Sequence, residues 1–251
     1  MRIAIIVHAF YRPLWPELAR HIRNFSDRKP DIFVTLAENA APEFEAKIKT
    51  DFPAADVKRL PNRGFDVGPF IEVLERIDLD AYDLVVKLHT KRNRFGVVGY
   101  RPLFGGQWRR KLLAFCRTKQ AVARALALFD DPTVGMVGNG DLILHPWDAL
   151  VPNPPPVDSS NTRTFVAGTM FIVRASLLKR VRDLVTFANF EPTTRDQTST
   201  LAHEWERRLG HLVAESGMTL AASPRQSLLN KLTYPLRRLL YTLLNCVVTN
   251  A

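Results

Sequence analysis

The sequence predicts an α/β fold: a mostly parallel sheet with helices on both faces, followed by a basic amphipathic helix at the C-terminal end. Three observations carry this reading. Short β-branched or apolar runs alternate with helix-period segments over about the first 90 residues. The run Leu84 to Leu88 is apolar on both faces until Lys87, as expected of a strand covered on two sides. Leucines beyond position 227 recur at helical spacing.

Taken in order, Ile3 to Val7 is a β-branched run and reads as the first strand. Leu14 to Phe25 sets Leu14, Leu18, Ile22 and Phe25 on one helical face, with Pro16 tolerated in the first turn. Asp31 to Leu36 is a second strand, Pro42 to Asp51 a second helix and Asp56 to Leu60 a third strand. Asp66 to Arg76 places Val67, Phe70, Ile71 and Leu74 on one face, and Leu84 to Leu88 follows as the fourth strand. Asn93 to Gly106 reads as a basic, glycine-containing loop, and Gln107 to Phe129 as two helices broken near Thr118. Val134 to Val137 is a short strand and Pro146 to Asn161 a long proline-rich loop. Thr164 to Val173 is a further strand with Gly168 at a bulge or close backbone approach. Ala175 to Val185 and Thr198 to Leu209 complete the helices. The chain thus divides into a domain of residues 1–220 and a tail of 221–251.

In the tail Leu228, Leu229, Leu232, Leu236, Leu239, Leu240, Leu243, Leu244 and Val247 share a face, with Lys231, Arg237, Arg238 and Asn245 opposite. A basic amphipathic helix of this kind fits a membrane surface. Docking on the parent domain, or on a second copy in a homo-oligomer, is the alternative.

The composition, 46% hydrophobic and 24% charged in 251 residues, excludes disordered, collagenous and disulfide-scaffold classes. Cys116 and Cys246 make neither a metal spacing nor a disulfide framework, and a reducing cytoplasm is the simplest setting. The N-terminal apolar run is too short for a signal sequence, and no run of about 18 uncharged apolar residues predicts a spanning helix. The net charge of +10 is concentrated. Lys87, Lys91, Arg92, Arg94, Arg101, Arg109, Arg110 and Lys111 form one segment without an acid, and Arg225 to the end forms another. Each calls for an anionic partner or a paired surface of its own.

In open parallel sheets ligands bind beyond the carboxyl ends of strands. Three segments meet that description: His8-Ala9-Phe10-Tyr11, Asn62 to Phe70, and His89-Thr90-Lys91-Arg92. In the second, Gly64 allows a tight turn and Asp66 is placed to cap a helix whose N-terminus could receive an anion. In the third, alternation puts Lys87 and His89 on one face, and a buried Lys87 requires an anion, either a ligand or a protein acid such as Asp66.

Val7-His8-Ala9-Phe10-Tyr11, Asn62-Arg63-Gly64-Phe65-Asp66-Val67-Gly68-Pro69-Phe70, Lys87-Leu88-His89-Thr90-Lys91, Ala167-Gly168-Thr169-Met170-Phe171, Asp196-Gln197-Thr198 and His203-Glu204-Trp205-Glu206-Arg207 occur in that order. Together, over residues 1 to 215, they resemble the rhamnan synthesis F family, rhamnosyltransferase-like proteins of bacterial surface polysaccharide and lipopolysaccharide assembly. The resemblance implies a GT-A-like, Rossmann-like fold. It also implies a cytoplasmic glycosyltransferase that moves rhamnose or another deoxy-hexose from a nucleotide-diphosphate sugar to a growing or lipid-linked glycan; the basic tail, where it meets a membrane surface, would hold it peripherally on the inner face of the cytoplasmic membrane. Carried onto this chain, it places His8, Asn62, Arg63, Gly64, Asp66, Lys87, His89, Lys91, Gly168 and Thr169 around the nucleotide sugar.

GT-A enzymes commonly hold a divalent metal through Asp-x-Asp after the fourth strand, where this chain has Lys87-Leu88-His89. A literal Asp78-Leu79-Asp80 precedes the strand. Fixed Lys87, His89 and Lys91 can neutralise a departing diphosphate as a cation would, so the expectation is transfer with no cofactor and no metal. An inverting transfer needs a base for the acceptor hydroxyl. Asp196 is the first candidate, because its family motif sits where such enzymes hold the base, and a helix cap is its alternative role. Glu206 is the second, with an ion pair to Arg207 or Arg110 as its alternative. Gly168 and Thr169 could line the sugar pocket. A catalytically silent scaffold of an assembly complex is the first alternative. The second is a nucleic-acid-binding protein that uses the basic segment, which interleaves Phe95, Tyr100, Phe104 and Trp108 with its cations but carries no recognisable module.

Overall fold

A computed structural model describes residues 1–92, 96–98, 101–103, 106–144, 164–194, 200–233, 235, 236 and 239. Its centre is a seven-stranded sheet. The first four strands are β1 (Ile3–His8), β2 (Asp31–Ala37), β3 (Asp56–Leu60) and β4 (Leu84–His89). A short hairpin, β5 (Gly96–Val98) and β6 (Arg101–Leu103), stands where a plain loop was expected. Then come β7 (Val134–Gly138), the two-residue β8 (Ile143–Leu144) and β9 (Phe165–Val166), β10 (Phe171–Arg174) and β11 (Thr219–Ala222). The helices are α1 (Trp15–Arg23), α2 (Pro42–Asp51), α3 (Val67–Arg76), α4 (Gly106–Leu112), α5 (Lys119–Ala127), α6 (Ala175–Leu184) and α7 (Leu201–Glu215).

The strand order is β11-β7-β10-β4-β1-β2-β3, and β10 alone among these runs antiparallel to its neighbours. Alternation along each strand divides the core in two. Ile3, Ile5 and Val7 of β1 face a cluster with Trp15, Ile22, Phe44 and Val122, from the side of α1, α2 and α5. Ala4 and Ile6 face Phe70, Leu74, Leu178 and Trp205, from α3, α6 and α7. The prolines fall where a missing N–H costs nothing: Pro16 and Pro42 lie in the first turns of α1 and α2. Thr118 caps α5 by accepting from Ala121 N at 3.1 Å, which explains the break in the basic helical stretch.

Three expectations are corrected. Thr164 to Val173 is not one strand: β9 and β10 are separated by a turn in which Gly168 (φ 82°) and Thr169 (φ 51°) are both left-handed. The last long helix starts at Leu201 and continues to Glu215, past the expected Leu209. The sheet runs on to Ala222, two residues beyond the expected boundary at 220, because β11 pairs with β7. The 146–161 loop lies outside the described residues, as does much of the tail.

Candidate functional site

β1 lies between β2 and β4, and the chain reaches those neighbours by helices on opposite faces of the sheet. The strand order therefore reverses at β1, the point where open α/β sheets form a crevice. His8 and His89, register partners at the ends of β1 and β4, stand at that reversal. By strand alternation His8, Lys87 and His89 all lie on the α3 face, in agreement with the sequence expectation for Lys87 and His89.

Asp66, just ahead of α3, is the hub. Its Oδ2 accepts from Lys87 Nζ and from the Thr169 hydroxyl, and it approaches His89 Nδ1 at 3.1 Å without hydrogen-bond alignment. Lys87 Nζ also donates to Thr169 Oγ1 (2.9 Å) and to Thr169 O (3.1 Å). The Lys87 side chain is 1% exposed, so its three ammonium hydrogens are matched to oxygen acceptors inside the protein, whereas the Asp66 side chain remains 23% exposed. Burial opposes ionisation of Asp66, but His89 and Lys87 outweigh it and hold the carboxyl well below the usual range. Burial pulls Lys87 down from its ordinary value, and Asp66 opposes the pull.

The expectation that Lys87 grips a diphosphate directly is corrected: its charge is committed to Asp66 and Thr169. The capping role for Asp66 is corrected too, since its side chain caps nothing. Nor is the N-terminus of α3 an open anion site. Val67 N and Gly68 N both donate to Gly64 O, and Pro69 has no N–H. Thr169 is buried, with its hydroxyl donating to Asp66.

Both imidazoles at the reversal are neutral near pH 7. Burial pushes His8, whose Nδ1 lies 3.0 Å from Thr35 Oγ1, down to about 3. Burial likewise pushes His89 down to about 4, with Asp66 opposing. The unfolded chain binds these protons at about pH 6.5 while the folded chain does not, so their contribution is full above pH 6.5 and is lost as the pH falls towards about 4 for His89 and about 3 for His8. For two such groups the unfolding free energy is expected to fall at up to about 2.7 kcal/mol per pH unit near pH 5. Buried His21, shifted the same way, adds to the slope. Urea unfolding between about pH 7 and 5 checks this; a flat profile would contradict it.

The loop before α3 turns through Gly64 (φ 64°) and Phe65 (φ 52°). A Cβ on Gly64 would stand 2.5 Å from the Phe190 ring, so the position needs glycine for space as well as for conformation. The segment before α7 is strapped to this loop. Gly64 N donates to Glu191 O (3.1 Å), Thr193 N to Asn62 O (2.8 Å), Phe65 N to Thr193 Oγ1 (3.0 Å) and Arg63 Nη1 to Phe190 O (3.3 Å). On the far side of residues 195–199, His203 packs edge-on against Phe65 at 5.4 Å. Asp196 lies outside the described residues, between these two anchors in sequence.

Glu206 makes neither expected ion pair. Its Oε1 accepts from Gly168 N at 2.5 Å and so holds the left-handed turn that presents Thr169 to Asp66. The strand-end segments named from the sequence meet here as an aromatic and cationic rim, a pairing the sequence does not show. Phe10, 38% exposed, meets Tyr11 edge-on at 4.9 Å, and Arg92 lies 5.1 Å over the Tyr11 ring. Lys91 lies 4.2 Å over Trp108. The available signal was position: Phe10 and Tyr11 directly follow β1. Thr90 ties this rim together, accepting from Tyr11 N at 2.8 Å.

Asp78-Leu79-Asp80 forms a turn ahead of β4, at the opposite end from His89. Asp78 Oδ1 accepts from Asp80 N at 3.0 Å, and Asp80 pairs with Lys179. Among the described residues no three His, Cys, Asp or Glu side chains converge as a metal ligand set.

The fold is that of an α/β protein whose mostly parallel sheet is covered by helices on both faces and reverses its strand order at β1. The family model for rhamnan synthesis protein F matches residues 1–143, and the chain belongs to that family. Two curated relatives, both "Uncharacterized protein WxcX" from strains of Xanthomonas campestris pv. campestris, are each 31% identical over an alignment of 225 residues that covers 85% of this chain. The chain spans 31% of their length. Among solved structures, a 4-diphosphocytidyl-2C-methyl-D-erythritol synthase is 15% identical with a TM-score of 0.44, the match covering 96% of this chain and 99% of that one. Core-mannan synthase A from Aspergillus fumigatus, in an Mn/GDP form, is 10% identical with a TM-score of 0.34, covering 88% and 70%.

Proposed function

We propose that the chain is an inverting, metal-independent glycosyltransferase of GT-A-like architecture. It would take a nucleotide-diphosphate sugar, with rhamnose or another deoxy-hexose as the favoured sugar, and transfer it to a growing or lipid-linked glycan. Membership of the rhamnan synthesis protein F family supports the class of reaction. The observation that carries the site is the partly exposed Asp66 carboxylate, fixed by Lys87 and Thr169 at the switch point of the sheet beside the aromatic and cationic rim.

In this reading Phe10 and Tyr11 receive the nucleobase, and Lys91 and Arg92 face the diphosphate. Neutral His8 and His89 serve as hydrogen-bonding groups, not as charges. Asp66 accepts from donor hydroxyls, its geometry set from behind by Lys87. Glu206 is a positioning residue, occupied with Gly168, so the acceptor's proton passes to Asp196, whose flanking segments are both anchored to the Asn62–Phe65 loop.

The test is thermal unfolding with a panel of nucleoside diphosphates and their sugar conjugates, paired with a transfer assay, each with excess chelator or with manganese. A rise in Tm with one nucleotide sugar, and transfer that survives chelator, are expected. No shift with any conjugate would remove the donor site, and loss of transfer in chelator with rescue by manganese would remove metal independence. Asp196→Asn is expected to keep the donor-induced shift and lose transfer; near-normal turnover would take Asp196 out of the base role.

A further inference from the structure

Beyond the transfer site, and independently of it, the start of the C-terminal helix presents an apolar face that nothing in the described protein covers. Residues 228–233, 235, 236 and 239 are helical. Leu228, Leu229, Leu232, Leu236 and Leu239 are 71, 65, 70, 60 and 57% exposed. At about 100° per residue, Leu228, Leu232, Leu236 and Leu239 fall within a sector of roughly 80°, with Lys231 roughly 60° to one side.

The opposite side is the one fastened to the body. Asn230 is buried, Ser227 N and Oγ donate to Asp141 Oδ1 at 2.9 and 3.1 Å, and Gly140 N donates to Pro224 O at 3.0 Å. The helix is therefore pinned at its start with its leucines turned outward, which is not the arrangement of a tail docked on its own domain through that face.

Charge selects the occupant. After Glu215 the chain has no acid, while Arg225, Lys231, Arg237 and Arg238 are basic. Two copies of such a segment repel one another, whereas an anionic lipid surface complements both the leucines and the cations. Among the described residues no helix is long and apolar enough to cross a membrane.

We infer that the stretch carrying Leu228, Leu229, Leu232, Leu236 and Leu239 is an interfacial anchor that lays this leucine face into an anionic membrane surface, with Arg225 and Lys231 set against lipid phosphates. The experiment is flotation of the full chain with vesicles of phosphatidylcholine alone or mixed with phosphatidylglycerol, at low and high salt. Wild type and Leu232→Glu/Leu236→Glu are compared; both changes fall at exposed positions, and an unchanged Tm confirms the fold.

Binding to the anionic vesicles is expected, weakened at least tenfold by high salt and by the double substitution. Failure to float with anionic vesicles, equal binding to phosphatidylcholine alone, or binding untouched by the double substitution would each overturn the inference. So would a concentration-dependent dimer that the substitution abolishes in the absence of vesicle binding. The donor-induced Tm shift, read on the same variant, separates failure of the anchor from failure of the transfer site.

Discussion

Asp66→Asn is expected to destabilise the protein by about 3–5 kcal/mol, because it strands the Lys87 ammonium in an interior where that side chain is 1% exposed. Lys87→Met is expected to cost less, about 1–3 kcal/mol, since the Asp66 carboxylate it leaves behind is 23% exposed and can recruit water. The double variant is then expected to be no less stable than Lys87→Met alone, a strongly non-additive cycle. Urea unfolding of the four proteins measures it; costs that simply add would show that the two groups are not coupled. Turnover separates structure from function. If Asp66 touches the donor, transfer is lost in Asp66→Asn by at least a hundredfold and stays lost in the stable double variant. Recovery of turnover together with stability would reduce Asp66 to a structural counter-ion.

The cycle also shows what the sequence could and could not reveal. The layered fold was legible because its signals are local: alternation in β1 and β4, and the helical faces of α1 and α3, are properties of adjacent residues. That Lys87 and His89 share a face follows from parity, and that a buried Lys87 needs an acid follows from desolvation. What parity cannot supply is the partner. Thr169 reaches Lys87 across 82 positions and Glu206 reaches Gly168 across 38. A threonine in the left-handed region carries no mark in composition or periodicity, so the turn it shares with Gly168 read as part of a strand. β11 escaped for a different reason. Its four residues include two alanines and lack the β-branched core that marks β1, so pairing with β7 decides its state.

Gly68→Ala is the substitution for which local geometry and site are most tightly joined. A Cβ at Gly68 would lie 2.4 Å from the carbonyl oxygen of Arg63, a backbone atom that can yield only if the whole Asn62–Asp66 loop shifts. Glycine here is needed for space, since its φ is not in the left-handed region. The expected cost is about 2–4 kcal/mol, the upper range for overpacking against backbone, and a Tm lower by roughly 4–16 °C for a chain of this size. Gly217→Ala is the control. That glycine has φ 71° but nothing within 4 Å of an added Cβ, so only conformational strain of about 1–2 kcal/mol is expected. Because the loop carries Asp66, Gly68→Ala is also expected to raise KM for donor even in the fraction that remains folded, while Gly217→Ala leaves KM unchanged. Equal Tm losses in the two variants, or an unchanged KM in Gly68→Ala, would mean that the Arg63 carbonyl is free to move and that Asp66 is not held by the loop that presents it.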